Sequence, residues 1–298
     1  MLSRRTVFVV GAGASVPFDF PTGRKLVEQV LSILDHPSDR AFFEAYFTSE
    51  QLADFRDALF RSGKNSVDAF LEHRRDLVDI GKTAIAYALI RKENDNKLFS
   101  LDRENWLRYL YERMNCEFER FGENAVSFVV FNYDRAIEHF LNTALCNTYR
   151  KTAEESAKQL SGIPIIHLHG TLGPLPWQGQ KGRAYDNSLT PETVQIAKDG
   201  IKIIHEDPTG DRDRDFQEAK GLMEKAEQVY FLGFGFDETN INRLGLAKMR
   251  GQGQRPVFAT GFELTASEIA RITSLSESRV RLYENVDCIS LLRTIVAW

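Results

Sequence analysis

The chain begins with a short apolar run and then alternates such runs with longer amphipathic stretches. The segment from Thr6 to Val10 is rich in β-branched and apolar residues, which is typical of a strand buried on both faces of a sheet. Runs of the same character predict further strands at residues 126–131, 163–168, 201–204, 229–232, 257–260 and 280–283.

A helical period governs the long stretch between the first and second predicted strands. Leu26, Val30 and Leu34 are spaced by four residues and predict a helix that begins near residue 22. Further helix starts are predicted at residues that commonly cap helices: Thr48, Ser66 and Asp102. The helix from Ser66 is expected to run to about residue 90. Because no strand pattern occurs before residue 126, we expect residues 36–124 to form an inserted helical subdomain.

Strands and helices alternate after residue 124, and this alternation predicts the fold class. Consecutive strand–helix units form a mostly parallel sheet with helices on both faces. We therefore predict an α/β, Rossmann-like fold in which residues 1–298 form a single domain. Residues 36–124 would be inserted between its first and second strands.

The composition restricts the class of partner. The 298 residues include 38 Lys and Arg against 42 Asp and Glu, and the net charge of −4 argues against a protein that binds nucleic acid directly. The three cysteines, Cys116, Cys146 and Cys288, are too few for a four-thiolate zinc site. No apolar run approaches the roughly 18 residues of a membrane span, so we expect a cytoplasmic protein without membrane contact.

Glycines and polar side chains follow several of the predicted strands. In an open parallel sheet, ligands bind outside the carboxyl ends of the strands, so residues at these ends are the candidate functional residues. The strand ends carry Gly11-Ala12-Gly13, Asn132-Tyr133-Asp134, His169-Gly170 and Gly233-Phe234-Gly235.

The turn after the first strand has the character of a phosphate-binding turn. Gly11 and Gly13 allow backbone N–H groups and the start of the next helix to face an anion. A dehydrogenase fingerprint would have a third glycine where Val16 stands, and a ribose-binding acid on a second strand close by in sequence. A nicotinamide- or flavin-dependent oxidoreductase is therefore disfavoured. The alternative is a tight strand-to-helix turn that binds no ligand.

Residues after the second and third strands are candidates for catalysis. The amide of Asn132 can orient a water or a ribose hydroxyl, and Asp134 can accept a hydrogen bond from a substrate or cap the next helix. His169 is the candidate general base because the ordinary pKa of histidine is near neutrality. His167 is interpreted as a buried, hydrogen-bonded histidine. Since no third ligand has suitable spacing, no metal is expected at this pair.

Together these motifs resemble the catalytic core of the sirtuins. The segment from Gly11 to Ser15 is similar to the sirtuin Gly-Ala-Gly-x-Ser loop. Asn132-Tyr133-Asp134 is similar to the end of the sirtuin Gln-Asn-Ile-Asp motif, with Phe131 in place of the glutamine, and His169-Gly170 follows in the same order.

The resemblance continues just after the glycine turn. Pro21 and Arg24 stand where the sirtuin loop has its later proline and arginine. The phenylalanine that covers nicotinamide in sirtuins is missing from its usual place, and Phe18 or Phe20 would replace it.

One difference from the deacetylase sirtuins indicates a subclass. Those enzymes carry a zinc module built on four cysteines, whereas this chain has no cysteine between Cys146 and Cys288. The helical insertion and the segment from Gly233 to Asp237 resemble the bacterial sirtuin-like domains of antiviral defence. The resemblance implies an NAD hydrolase that needs no zinc and releases nicotinamide and ADP-ribose. Depletion of NAD would arrest the infected cell, which is abortive infection.

The same resemblance implies roles for individual residues. Asn132 would position water or ribose, Asp134 would hold the nicotinamide amide, and His169 would act as the base. The residues implied to bind NAD are Gly11, Ala12, Gly13, Ser15, Phe20, Arg24, Tyr133, Gly233, Gly235 and Thr260.

Partners are also expected by this resemblance. They are further copies of the chain in a homo-oligomer, and a separately encoded activator such as a helicase-like ATPase or an Argonaute-type protein. Two alternatives stay open. One is a non-catalytic module that binds NAD or ADP-ribose as a signal, and the other is an NAD-dependent protein deacylase without the zinc module.

Overall fold

A computed structural model describes residues 1–101, 105–179, 181–203, 213–246, 257–277 and 279–296. Six strands form one sheet in which every neighbouring pair is parallel. The strands β1 to β6 are Thr6–Val10, Val126–Val130, Ile165–His167, Gln228–Leu232, Val257–Gly261 and Arg281–Glu284.

The strand order is β3-β2-β1-β4-β5-β6, so the chain winds outward from β1 in both directions. This is the order of the doubly wound Rossmann fold, whose ligand crevice opens where the winding reverses, between β1 and β4. In the register of the sheet, Val10 pairs with Val130 and with Leu232, and Val130 pairs with His167. The residues that follow these positions therefore meet at one edge of the sheet. The predicted α/β, Rossmann-like fold is confirmed.

Helices cover both faces of the sheet, and successive side chains along its strands point alternately into two hydrophobic cores. On β1, Phe8 and Val10 point into the larger core, while Val7 and Val9 point into the smaller one. All four side chains are buried, as expected for a strand covered on both faces.

Fourteen α-helices occur in the described part of the chain. The helices α1 to α14 are Gly23–Asp35, Pro37–Glu44, Ser49–Arg61, Val67–Leu71, Val78–Ile90, Asp95–Leu98, Trp106–Arg113, Ala136–Tyr149, Ala153–Leu160, Pro191–Gly200, Arg214–Lys225, Glu238–Leu244, Ala266–Leu275 and Cys288–Thr294. Short 3₁₀ helices lie at Ala12–Phe18, Arg75–Leu77 and Phe118–Glu123.

The described residues between β1 and β2 contain helices and turns, as the sequence predicts. Thr48 forms both bonds of a capping box with Gln51 at the start of α3. Ser66 caps α4 as predicted, but the expected helix to residue 90 is interrupted after Leu71, because the main chain at Arg74 is not helical. Asp102 lies outside the described residues, and the cap of α7 is Asn105.

The helices of residues 36–124 share the larger hydrophobic core with one face of the sheet. Phe43, Phe55 and Trp106 from this region are fully buried in the same cluster as Phe8 and Phe128 of the sheet. The division into a domain with an inserted subdomain stays a prediction.

The sequence predicts a strand at residues 201–204 that the described part of this segment does not form. Ile201 makes one isolated antiparallel bridge with Gly170, just after α10 ends, and residue 204 lies outside the described residues. This bridge holds the chain that follows His169, because the N–H of Lys202 donates to the carbonyl of His169 at 2.8 Å. None of the helices in the described segments is both long and apolar enough to cross a lipid bilayer.

Candidate active site

The glycine turn packs directly against the end of β4. The N–H of Gly11 donates to the carbonyl of Leu232 and the N–H of Gly13 to the carbonyl of Gly233, both at 2.9 Å. A Cβ atom on Gly11 would lie 2.6 Å from the Gly233 oxygen. Gly233 has a φ of 55°, and its Cβ would lie 2.0 Å from the nitrogen of Ala14. These glycines bring two backbones together, and the N–H groups of Gly11 and Gly13 are used within the protein.

Three side chains from the glycine turn and β2 form a buried hydrogen-bond network. The amide nitrogen of Asn132 donates to the carbonyl of Gly11 at 3.0 Å and to the hydroxyl of Ser15 at 2.9 Å. The Ser15 hydroxyl in turn donates to Oδ2 of Asp134 at 2.8 Å. The 3₁₀ turn at Ala12–Phe18 places Ser15 where it can link the two polar residues. Asn132 is thus fixed in orientation by residues of a different strand end.

Asp134 has an internal role in this network. Its Oδ1 accepts a hydrogen bond from the N–H of Ala136, the first residue of α8, at 3.2 Å, although the N-cap of this helix is Arg135 and not Asp134. Burial raises the pKa of this carboxyl, while the bond from Ser15 acts in the opposite direction. Both carboxylate oxygens are engaged, so Asp134 orients Ser15 and the first turn of α8.

His169 lies in an apolar pocket at the end of β3. Its ring is close to those of Phe131, Tyr133 and Phe216, with centroid distances of 5.8, 6.4 and 6.5 Å. Burial, assisted by the positive charges of Arg243 and Lys202, lowers the pKa of His169 to about 4. The expectation of a pKa near neutrality is therefore wrong. The imidazole is uncharged at neutral pH and can accept a proton or a hydrogen bond.

Three buried polar atoms near this strand end have no hydrogen-bond partner among the described residues. They are Nδ1 of His169, the hydroxyl of Tyr133 and Oε2 of Glu138, whose other carboxylate oxygen contacts His167. Buried polar groups in folded proteins are nearly always paired, so an unpaired group at a strand end indicates a place for water or a ligand. Tyr133 itself is held by its carbonyl, which accepts from the N–H of Leu172 at 2.9 Å.

His167 has a different environment from that of His169, although the two side chains are only two residues apart. Its Nδ1 lies 2.9 Å from the carbonyl of Asn132 and its Nε2 lies 2.7 Å from Oε1 of Glu138. Burial alone would lower the pKa of His167, but the carboxylate of Glu138 raises it above its ordinary value. His167 is a buried, hydrogen-bonded histidine, in agreement with the prediction from the sequence.

On the other side of the crevice, Thr260 supports Gly233. Its hydroxyl accepts a hydrogen bond from the N–H of Gly233 at 2.9 Å, and its side chain is buried. Gly235 has open space where a Cβ would lie. Among the residues predicted at the ends of β4 and β5, Gly233 packs against the glycine turn and Thr260 supports Gly233. No heavy atom lies within 4 Å of a Cβ built on Gly235.

Two residues expected to bind NAD lie apart from this network. Phe20 is buried in the larger core, as is Phe18. The side chain of Arg24 is 79% exposed and pairs with Glu28 on its own helix at 3.4 Å. Ala12, by contrast, lies in the glycine turn itself and is half-buried.

A scan against protein-family models finds no match to this sequence, and a search of curated proteins finds no significant similarity. The described residues contain no group of three or more His, Cys, Asp or Glu side chains arranged to hold a metal ion. The assignment of a function therefore depends on the geometry of the strand ends and on the motif resemblance.

Some residues that shape the site were not identified from the sequence. Glu138 pairs with His167 across 29 residues, and Arg243 pairs with Glu72 across 171 residues at 3.1 Å. Arg243 is buried and contributes to the low pKa of His169. The sequence signal for Glu138 was weak, because it is one of several polar residues in a mixed helix, although it is the only acidic one there.

Proposed function

We propose that this protein is an NAD hydrolase that cleaves the bond between nicotinamide and ribose. The observation that carries the proposal is the arrangement of Asn132 and His169 at neighbouring strand ends. The Asn132 amide is fixed by Gly11 and Ser15, and the uncharged His169 ring has an unpartnered nitrogen. This edge of the sheet is where the Rossmann fold binds ligands. The sirtuin-like order of the motifs supports the same substrate.

The reaction requires little acid catalysis. When the C1′–N bond breaks, its electron pair moves to the nicotinamide ring nitrogen, which loses its positive charge, and the ribose passes through an oxocarbenium-like state. Water adds its oxygen to C1′ and loses a proton, so the products are nicotinamide, ADP-ribose and H⁺. The protein has to orient the ribose and the water and accept one proton.

The residues present fit these tasks with two changes from the roles that the resemblance implies. Asn132 has its amide nitrogen bound internally, and no described residue donates to its Oδ1, which leaves that oxygen to accept from water or a ribose hydroxyl. Asp134 is assigned to positioning Ser15 instead of holding the carboxamide. Gly11 and Gly13 are assigned to close backbone packing instead of donation to the diphosphate.

His169 is assigned as the proton acceptor. Its low pKa keeps it uncharged at neutral pH, which is the state that a base requires. The aromatic rings that surround it also keep the imidazole away from bulk solvent.

The product assay tests the proposal. Purified protein is incubated with NAD, and the products are separated by chromatography for wild type, Asn132→Ala and His169→Ala. The controls are His73→Ala and Asn147→Ala, which replace the same residue types at exposed positions. We expect nicotinamide and ADP-ribose from wild type and both controls, and a loss of about 100-fold or more from the two site variants. Equal turnover in site and control variants would contradict the assigned roles, and no turnover in wild type would contradict hydrolysis by the isolated chain.

One observation favours a second candidate, a non-catalytic module that binds NAD or ADP-ribose. General bases of the triad type are held by an acceptor on their second ring nitrogen, whereas Nδ1 of His169 has no partner among the described residues. The same variants separate the two candidates. A binding module would keep NAD affinity without turnover in wild type, and a hydrolase would lose turnover in His169→Ala.

The proposed reaction also points to a role for the protein in the cell. An unregulated NAD hydrolase would deplete the cell of NAD, which fits antiphage defence by abortive infection. We propose that activity is controlled by homo-oligomer formation or by a helicase-like or Argonaute-type partner. Gel filtration coupled to the product assay tests the first possibility, because an oligomeric fraction should carry the activity.

A further inference from the structure

The buried pair formed by His167 and Glu138 connects β3 and α8 to the main chain of Asn132. Both side chains are 7% exposed, and Nε2 of His167 lies 2.7 Å from Oε1 of Glu138. The other ring nitrogen lies 2.9 Å from the carbonyl oxygen of Asn132. The imidazole therefore joins a carboxylate of the following helix to the residue that the proposed hydrolase would use to orient water or ribose.

The chemistry of the partners determines where the protons lie. A carbonyl oxygen can only accept, so Nδ1 of His167 carries a proton and donates to Asn132. The pKa of Glu138 is lowered by His167 despite its burial, and the pKa of His167 is raised by Glu138. Because the carboxylate of Glu138 can only accept, Nε2 also carries a proton, and the ring donates from both nitrogens. The other charged groups facing the pair are Asp134, which raises the pKa of His167, and Arg135, which lowers the pKa of Glu138, so both favour the charged form of the pair.

Asn132 is held at two points by different parts of the chain. Its side-chain nitrogen is fixed by Gly11 and Ser15, and its main-chain carbonyl is fixed by His167. The peptide plane between residues 132 and 133 sets the direction of both the Asn132 and the Tyr133 side chains. The hydrogen bond from His167 to this carbonyl opposes rotation of the peptide plane, because rotation would break the bond.

We propose that His167 and Glu138 are positioning residues that hold Asn132 in the orientation required for cleavage of the substrate. This inference rests on the proposed NAD hydrolase function. Neither residue touches the reacting atoms: Glu138 fixes the protonated ring, and the ring fixes the Asn132 main chain. The expected signature is a change in kcat at nearly constant KM for NAD, because the orientation matters most in the transition state.

A matched pair of double variants isolates the hydrogen bond to Asn132. In His167→Asn/Glu138→Gln, the asparagine amide nitrogen occupies the place of Nδ1 and can still donate to the Asn132 carbonyl. In His167→Gln/Glu138→Gln, the glutamine nitrogen occupies the place of Nε2 and can donate only toward residue 138. Both variants lose the same two charges, so neither leaves a buried ion without its partner.

We expect the asparagine variant to exceed the glutamine variant in kcat by about tenfold, with similar KM and similar melting temperature. The side-chain amide signal of Asn132 in the NMR spectrum should shift in the glutamine variant and stay near its wild-type position in the asparagine variant. Equal kcat in the two variants, or a loss that follows the melting temperature, would overturn the inference.

A measurement on wild type covers the case in which a double variant does not fold. In protein labelled with ¹⁵N-histidine at pH 7, one ring should carry two slowly exchanging N–H protons, because His167 donates from both nitrogens. A spectrum without such a ring would overturn the inference. Absence of NAD turnover in wild type would contradict the proposed function alone, and the position of the Asn132 amide signal in the two variants would then decide whether His167 holds Asn132.

Discussion

The imidazole of His169 takes its acid–base character from the side chains around it. Phe131 and Phe216 border the ring, and the cationic groups of Arg243 and Lys202 are close enough to disfavour a second positive charge. A residue type that titrates near neutral pH in water is thereby kept uncharged well into the acid range. Asn132 is likewise defined by its surroundings, since Gly11 and Ser15 fix its amide nitrogen.

The low pKa of His169 predicts the pH dependence of the proposed reaction. Because the base must be unprotonated, kcat/KM for NAD should be nearly constant from pH 8 down to about pH 5 and should fall as the pH approaches about 4. Initial rates across this range measure the profile. A midpoint near 6.5, the ordinary value for histidine, would contradict burial of a reactive His169.

The same shift predicts a loss of stability in acid. The unfolded chain binds a proton at this histidine near pH 6.5 and the folded chain only near pH 4, so lowering the pH through this interval favours unfolding. Urea unfolding of wild type and His169→Gln at pH 7 and pH 4.5 measures the effect. We expect wild type to lose about 2 kcal/mol more than the variant on acidification. An equal loss in both proteins would show that His169 titrates normally.

Two glycines of the β4 end provide a residue-scale test of the close backbone packing. In Gly233→Ala the new Cβ would meet the nitrogen of Ala14 at 2.0 Å, in a backbone conformation that favours glycine. We expect a loss of more than about 2 kcal/mol in the free energy of unfolding. Gly235→Ala is the control, because nothing lies near its Cβ, and it should change stability by less than about 1 kcal/mol. Similar losses in both variants would contradict the packing described for Gly233.

At the scale of secondary-structure elements, the helices between β1 and β2 support the glycine turn. Trp106, in the first turn of α7, is fully buried, and its indole N–H donates to the carbonyl of Ala14 at 2.8 Å. A residue of the segment between β1 and β2 thus fixes the turn that contacts Gly233. Arg243 of α12 pairs with Glu72 at the end of α4 and joins the same region to the other half of the sheet.

Replacing the indole tests this support. Trp106→Phe keeps an aromatic ring in the core but removes the N–H, and leaves the Ala14 carbonyl without that donor. We expect a loss of about 1–3 kcal/mol in urea unfolding. If the proposed function is right, the KM for NAD should also rise. Trp177→Phe, at a half-buried position on the edge of the same core, is the control and should leave KM unchanged. Equal changes in KM for both variants would contradict a specific link from Trp106 to the turn.

At the scale of the whole molecule, one buried carboxylate ties together three distant segments. Glu93, after α5, accepts from Arg135 at 2.8 and 2.6 Å and from Arg183. The two arginines also donate to main-chain carbonyls of residues 172–174, 183, 184 and 186 in the long loop that follows His169. Since these three side chains are at most 4% exposed, their charges depend on one another.

Removal of the buried carboxylate should therefore destabilise the entire fold. Glu93→Gln leaves two buried guanidinium groups without a counter-ion, and we expect a loss of about 3–5 kcal/mol in the free energy of unfolding. Glu28→Gln is the control: its pair with Arg24 is exposed, and its loss should cost at most about 0.5 kcal/mol. Urea unfolding measures both. A small effect at Glu93 would mean that the loop is held by its other contacts.

The pattern along the sequence was sufficient to predict the sheet and its class. All six strands overlap segments predicted as strands. The apolar pattern is clearest for the buried strands β1, β2 and β4, because a strand covered on both faces needs apolar residues at nearly every position, whereas β6 lies at the edge of the sheet and is partly exposed. The capping box at Thr48 is also a local signal and is present. The strand predicted at residues 201–204 was wrong for its described part, since a few apolar residues suit a helix end and an isolated bridge equally well.

The sequence by itself thus located the six strands and the polar residues that follow them, because these properties depend on neighbours close in the chain. The tertiary structure decided what those residues do. It assigned the N–H groups of Gly11 and Gly13 to β4, lowered the pKa of His169, and paired His167 with Glu138. Burial and long-range partners exist only once distant segments are packed together, so local sequence patterns cannot specify them.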